Sequence, residues 1–278
     1  MLSILLAALS AGVWGTGDFC GGKASQRANP LAVAVLSQLL GLPVLVLCLV
    51  LLGDGWPTPA DIGYGALAGV AGFGGILLLY RGLSQGVMSI FAPISAVTAA
   101  VIPMLVGLVT EATPRTLGLI GAGCAIAAIG LVSMGGERTG RVTPKLVGLA
   151  LATGAMFGVF FAILGVLGSG AGVWPMAGVR LGSLGVGLMV VAATRTSLRI
   201  TGIPWRWTAV AGIFDIGANV LYVLAVSLHG ALSIVAPIAS LYPVSTVLLA
   251  LGIDRERVRP VQLAGLGLAA TALVLVAT

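Results

Sequence analysis

Several ionisable residues of this chain fall inside apolar stretches. Arg180 falls near the middle of one apolar segment, and Asp215 falls inside the next. A cation at the centre of a membrane helix costs about 2.5–3.5 kcal/mol on insertion scales, so such a residue is a functional candidate. We predict that Arg180 faces a cavity, where it binds a substrate carboxylate or pairs with Asp215. The alternative is a buried ion pair that only fixes the two helices.

Asp18 is a third ionisable residue in an apolar segment, one helical turn after Trp14 and shortly before Lys23. A partly buried carboxylate at this place could exchange protons with a cavity, which makes Asp18 the candidate for proton coupling. The alternative is an acid at a helix end that pairs with Lys23 or Arg27.

Uncharged polar residues accompany these charges. Asn219 and Tyr222 follow Asp215 at spacings of four and three, close to one helical face. A polar stripe on an apolar helix faces a cavity or a partner helix and not lipid. Four further residues are weaker binding candidates, each of which is alternatively explained by helix packing: Trp14, Gln38, Tyr80 and Tyr242.

The composition predicts an all-α membrane protein. Of 278 residues, 59% are apolar and only 8% charged, against about 25% charged in a soluble domain, and the mean hydropathy is +1.15. At about 20 residues per span, we predict ten transmembrane helices joined by short loops. Their ranges are 2–21, 31–52, 62–82, 87–109, 116–134, 146–168, 173–193, 207–228, 231–251 and 260–277.

The charges and cysteines narrow the functional classes further. Twelve of the 14 basic residues fall in loops on one side, which predicts that this side is cytoplasmic and that both termini lie outside. The sequence lacks basic segments interleaved with aromatic residues, so we do not expect the protein to bind nucleic acid. The single histidine and the scattered cysteines provide no ligand set for a metal, and we expect no cofactor. We expect a multi-pass protein of the cell membrane whose partners are the lipid bilayer and a small-molecule solute.

The chain also contains a repeat. Ser-Ile-Phe-Ala-Pro-Ile begins at Ser89, and Ser-Ile-Val-Ala-Pro-Ile begins at Ser233, 144 positions later. With five spans in each half, the second copy enters the membrane in the opposite direction. We predict two inverted five-helix repeats over 1–135 and 146–278. Pro93 and Pro237 occupy matching positions in the halves, and we expect them to kink helices that line a cavity.

Glycines are frequent, and several fall at GxxxG spacing, which favours close helix packing. The pairs are Gly17/Gly21, Gly65/Gly69, Gly154/Gly158 and Gly178/Gly182. A homodimer is a further candidate assembly, which these residues do not decide.

At these residues the chain resembles the EamA-type family of the drug/metabolite transporter superfamily. The resemblance rests on Val-Trp-Gly at Val13 to Gly15, on the two Ala-Pro-Ile motifs, and on the glycine-rich last helix of each half. It implies ten helices in two inverted halves, with helices 3, 4, 8 and 9 around a central cavity, and export of amino acids, related metabolites or drugs. Family members usually have cytoplasmic termini, opposite to the orientation that the charges predict here, and we keep the latter.

We therefore expect a secondary transporter and not an enzyme. It would export a small metabolite, such as an amino acid-like compound, a nucleobase or a drug, by alternating access, driven either by a proton gradient or by the solute's own gradient. The alternative is a membrane sensor or assembly partner that has the same fold and transports nothing.

Overall fold

The computed structural model describes residues 1–53, 55–83, 88–111, 115–134, 143–253 and 259–277. Within 80–83, 88–93 and 168–171, and at 247, 250, 251 and 277, it describes the backbone only. The described residues form helices and their connections. The helices are α1 (Leu2–Ser25), α2 (Pro30–Leu52), α3 (Pro59–Leu83), α4 (Met88–Thr110), α5 (Thr116–Ser133), α6 (Pro144–Ala171), α7 (Pro175–Thr194), α8 (Ile203–Ser227), α9 (Leu232–Ala239), α10 (Tyr242–Ile253) and α11 (Pro260–Ala277).

The helices are long and apolar enough to identify a multi-pass integral membrane protein. Among the described residues, seven helices could each cross a bilayer, and three shorter apolar segments accompany them at Ile94–Thr110, Leu232–Thr246 and Pro260–Val276. Large apolar side chains such as Val50, Val109 and Leu181 are exposed on the outside of the bundle. Without water at that depth, an apolar exterior is the favourable one. The ten predicted spans correspond to these helices within a few residues at most ends.

Span 9 is the exception, because the single helix predicted over 231–251 is interrupted. The helix α9 contains Pro237 and ends at Ala239, and α10 begins at Tyr242 after a turn at Ser240 and Leu241. Proline has no N–H to donate and its ring clashes with the preceding turn, which weakens the helix at this point. Pro243, the second residue of α10, fits the first turn of a new helix, where no donor is required.

The main helix pairs in the bundle are α1 with α8, α5 with α11, α3 with α7, α4 with α6, α3 with α6, and α2 with α8. The contact between α3 and α7 is made by glycines of both helices. A Cβ added at Gly69 would lie 2.1 Å from the carbonyl oxygen of Val179, and one at Gly182 would lie 2.1 Å from that of Ala66. The packing role predicted for Gly65/Gly69 and Gly178/Gly182 is therefore confirmed, and the contact they make lies within the chain.

Candidate functional site

The two intramembrane charges of the second half are paired. Arg180 Nη2 donates to Asp215 Oδ2 at 2.5 Å, and the arginine side chain is 5% exposed while the aspartate side chain is 37% exposed. The prediction placed Arg180 near the middle of its span, but it is the sixth residue of α7 and lies in the second turn. Among the described residues, α7 and α8 share little direct contact, and α2 packs against both. The long arginine side chain therefore bridges two helices that are not in close contact.

Asn219 belongs to the same cluster as this pair. Its Nδ2 donates to the backbone oxygen of Asp215 at 2.7 Å and to Asp215 Oδ1 at 3.3 Å. Among the described residues, two buried polar atoms of the cluster have no hydrogen-bond partner, Asn219 Oδ1 and Arg180 Nε. Unpaired buried polar atoms are rare in folded proteins, so each marks a place where another molecule could complete the bonding.

Gln38 lies on α2 and is joined to α7 by Ser183, whose hydroxyl donates to Gln38 Oε1 and also approaches the carbonyl oxygen of Arg180 at 3.4 Å. Both Gln38 and Ser183 are buried. Ser183 was not predicted as a site residue, although its spacing of three from Arg180 places the two on one helical face. A polar connection therefore runs from α2 through α7 to Asp215 on α8.

Asp18 lies inside α1, seven residues before the helix ends at Ser25, and is exposed. It interacts electrostatically with Asp215 and with Tyr242. The preceding residue, Gly17, faces α8, since a Cβ there would lie 3.6 Å from the backbone nitrogen of Asp215. Asp18 therefore stands close to the Arg180–Asp215 pair.

The alternative interpretation of Asp18 is a helix-end acid that pairs with Lys23 or Arg27. Within the described ranges, Asp18 has no salt bridge to either residue. Lys23 Nζ instead lies 5.5 Å from the centre of the Phe19 ring.

Trp14 and Tyr222 are packed in an aromatic cluster beside the charged group. The Trp14 ring contacts the Phe161 ring edge-on, with centroids 4.9 Å apart, and lies 6.1 Å from the Tyr222 ring. Tyr222 is fully buried, and its hydroxyl donates to the carbonyl oxygen of Phe161 at 2.9 Å. The Tyr222 hydroxyl, which the sequence analysis grouped with Asp215, is thus bonded to α6.

Of the four remaining candidates, the structure describes the side chains of two. Tyr242 begins α10 and is half-buried near Asp18. The side chains of Tyr80 and Pro93 lie outside the described residues, and Pro237 lies inside α9, two residues before its end.

Three small hydroxyl residues hold α1 in place, and the sequence did not single them out. Ser10 donates to the carbonyl oxygen of Ala218 at 2.8 Å, Ser245 to that of Ala11 at 2.9 Å, and Thr246 to that of Gly15 at 3.1 Å. Serine and threonine are common in membrane helices, so their presence alone does not reveal these bonds. They fix the helix that carries Asp18 against α8 and α10.

Two apolar cavities are lined by described residues, and neither includes the charged cluster. One of about 290 Å³ lies between the end of α2 and the start of α7 and is lined by Leu49, Trp56 and Trp174, among others. The other, of about 130 Å³, lies beside the break between α9 and α10, next to Ala11, Ile238 and Leu241. The walls of both cavities are almost entirely apolar.

Comparisons with known proteins agree with this architecture. A protein of known crystal structure has the same fold, with a TM-score of 0.80 over 99% of this chain and 98% of its own, at 14% sequence identity. No curated protein matches the sequence. The model of the EamA-like transporter family matches residues 1–134 and again 145–278. The chain therefore belongs to the EamA-like transporter family and is a membrane transporter of the drug/metabolite transporter superfamily.

Proposed function

We propose that the protein is a secondary transporter that exports a small polar metabolite across the cell membrane by alternating access. The observation that carries this proposal is the cluster of Arg180, Asp215, Asn219 and Asp18 within membrane-spanning helices. Ionisable groups at this depth are expensive and are used in binding sites and ion pathways. Asp18 is exposed and Asp215 is 37% exposed, which favours a water-filled vestibule beside them.

Two inverted five-helix repeats, over 1–135 and 146–278, would supply the movement. The double match of the family model, one to each half, supports this arrangement. The helix pairs support it too when α9 and α10 are taken as one span. In an inverted repeat, each helix of the first half is equivalent to the helix five places later. This equivalence relates the pair α1–α8 to α6–α3, and the pair α3–α7 to α8–α2. All four pairs are in close contact. Rocking of one repeat against the other exposes the site to either side of the membrane in turn.

A gradient provides the energy in this proposal, and Asp18 is the coupling group. Asp18 interacts electrostatically with Asp215, and Asp215 in turn binds the guanidinium of Arg180. The cluster therefore has one negative charge when both acids are ionised and none after a proton binds. That difference of one charge is suited to exchanging a proton for a solute.

Flux measurements in proteoliposomes test the proposal. We expect the purified protein to transport at least one solute from a panel of amino acids, nucleobases and cationic drugs. Arg180→Ala should reduce the initial rate at least tenfold, whereas Arg199→Ala, which removes an exposed arginine from the loop after α7, should not change it. Absence of flux for every solute, with and without a pH gradient, would contradict the proposal.

Proton coupling has its own test. In Asp18→Asn the side chain cannot ionise, so a solute should still equilibrate down its own gradient while a pH gradient no longer accelerates it. Asp61→Asn is the matched control, because Asp61 is a half-buried acid in the first turn of α3. Equal stimulation by a pH gradient in wild type and Asp18→Asn would rule out Asp18 as the coupling group.

A further inference from the structure

We infer that the group recognised at this site is an organic cation with N–H donors, such as a primary ammonium, and that Asp18 is its counter-ion. This inference rests on the proposed function, since it names the substrate class of the same site. It also decides between the two roles considered for Arg180, in favour of the pair with Asp215 and against the binding of a substrate carboxylate.

The charge balance of the cluster is the first reason. The guanidinium of Arg180 is already bound to Asp215 at 2.5 Å. Asp18 stands near this pair, and no described residue forms a salt bridge with it. Among the residues that the structure describes, the group formed by Asp18, Arg180 and Asp215 therefore has one carboxylate more than it has cations. A cationic ligand would neutralise the excess, whereas an anionic ligand would bring a third negative charge next to two carboxylates.

The hydrogen-bonding capacity of the cluster is the second and independent reason. Asn219 is 4% exposed, and its Oδ1 has no partner while its Nδ2 is held by Asp215. A buried acceptor without a partner destabilises the protein, and a bond from a ligand N–H would remove that cost. Because the Asn219 amide contacts Asp215, its unpaired oxygen lies next to the partly exposed carboxylate of Asp215.

One unpaired donor, Arg180 Nε, would by itself favour an anionic ligand, but it does not change the net charge of the cluster. It belongs to the same guanidinium that Asp215 already binds. An anion that approached Nε would also meet Asp215, which repels it. The partly exposed acceptors, Asp18 and Asp215, are thus the groups that a ligand meets first.

The presence of an acceptor, and not only of negative charge, predicts a specific preference. A primary ammonium can donate to Asn219 Oδ1 and to a carboxylate together. A quaternary ammonium has no N–H and leaves Asn219 Oδ1 unpaired. The site should therefore discriminate between two cations of equal charge.

The test compares three probes with the same phenyl ring and a two-carbon chain: phenethylamine, its N,N,N-trimethyl analogue, and 3-phenylpropionate. Binding to the full-length protein in lipid nanodiscs is measured by calorimetry, with empty nanodiscs as the blank. We expect phenethylamine to bind, the trimethyl analogue to bind at least tenfold more weakly, and 3-phenylpropionate not to bind. Absence of phenethylamine binding, or tighter binding of 3-phenylpropionate, would overturn the inference.

Variants assign the effect to residues. Asp18→Asn should weaken phenethylamine binding at least tenfold, Asp18→Glu should restore most of it, and Asp61→Asn should leave it unchanged. Asn219→Leu should reduce the ratio between the two cations towards one. Wild-type affinity in Asp18→Asn would overturn the role of Asp18, and an unchanged ratio in Asn219→Leu would overturn that of Asn219. Each variant is first shown to be monodisperse, and the Asp18→Glu restoration separates recognition from misfolding.

The failure of this inference is distinguishable from failure of the proposed function. If the wild-type protein moves a solute in the flux panel but neither binds phenethylamine nor is competed by it, the transporter remains and the substrate class is wrong. If it binds phenethylamine but moves nothing, the recognition site remains and transport is wrong.

Discussion

Arg180 and Asp215 are joined by a 2.5 Å contact although their helices, α7 and α8, share little other direct contact among the described residues. The pair is thus a single polar bridge across a space that α2 borders on one side. Its arginine is almost fully enclosed and its aspartate is partly open. Such an asymmetric pair is suited to a site in which Asp215 contacts the ligand and Arg180 compensates the charge of Asp215.

Breaking this pair from one side should destabilise the protein more than removing both partners. Arg180→Ala leaves an intramembrane aspartate without a cation, and we expect a loss of about 2 kcal/mol, below the value for a fully buried pair because Asp215 is partly exposed. The double variant Arg180→Ala/Asp215→Ala should recover part of that loss. Thermal unfolding in detergent measures both, with Arg199→Ala as the control. Additive losses in the double variant would show that the two residues are energetically independent.

The contact between α3 and α7 provides a matched pair of glycines. A Cβ at Gly182 would lie 2.1 Å from the carbonyl oxygen of Ala66, whereas one at Gly185, three residues further along α7, would meet nothing within 4 Å. Gly182→Ala must therefore separate the two helices, at a cost of about 1–3 kcal/mol. Gly185→Ala should cost nothing, since alanine favours a helix more than glycine does. Equal unfolding temperatures for both variants would contradict the role of this contact.

The positions of the membrane helices could be predicted from the sequence because an apolar stretch of sufficient length has few alternatives. The interruption of span 9 could not, since Pro237 is compatible both with a kink inside one helix and with the end of a helix. The structure ends α9 at Ala239. The repeat motif at Ser233 indicated the place but not the type of irregularity.

The candidate site was predicted in part, for a physical reason. Arg180 and Asp215 stand out because ionisable residues are rare at membrane depth, and their rarity made a mutual contact the simplest outcome. Ser183, in contrast, is one of many small polar residues, and its bond to Gln38 depends on how α2 and α7 cross. Tyr222 was grouped with Asp215 by its spacing, but its hydroxyl is bound to the carbonyl oxygen of Phe161. Spacing within one helix cannot reveal which neighbouring helix provides a partner.

The substitution Tyr222→Phe tests whether the Tyr222 hydroxyl stabilises the fold or binds the solute. Tyr222→Phe removes the 2.9 Å bond to the carbonyl oxygen of Phe161 and keeps the ring that packs on Trp14 and Phe161. We expect a loss of about 1 kcal/mol in stability and unchanged affinity for the transported solute, because the hydroxyl is already bonded to the backbone of α6. Tyr64→Phe, at an exposed tyrosine of α3, is the control for unfolding temperature. A large fall in solute affinity with normal stability would instead assign Tyr222 to the binding site.

Glu111 connects the end of α4 to the start of α9, and this contact makes a prediction about local opening. Both carboxylate oxygens accept from the backbone N–H of Leu232, at 3.0 and 2.7 Å. This N–H is one of the first in α9, where no donor has a partner within the helix, and a negative charge there is favourable.

Glu111→Ala should therefore loosen α9 before it affects the rest of the bundle. The loss of a helix cap costs about 1 kcal/mol, which is large for a helix of eight residues. Hydrogen exchange measured by mass spectrometry should be several-fold faster over 232–239 and unchanged over α5, and Glu111→Gln, which keeps an acceptor oxygen, should lie between the alanine variant and wild type. Uniform exchange changes throughout the chain would mean that Glu111 supports the whole fold and not the start of α9.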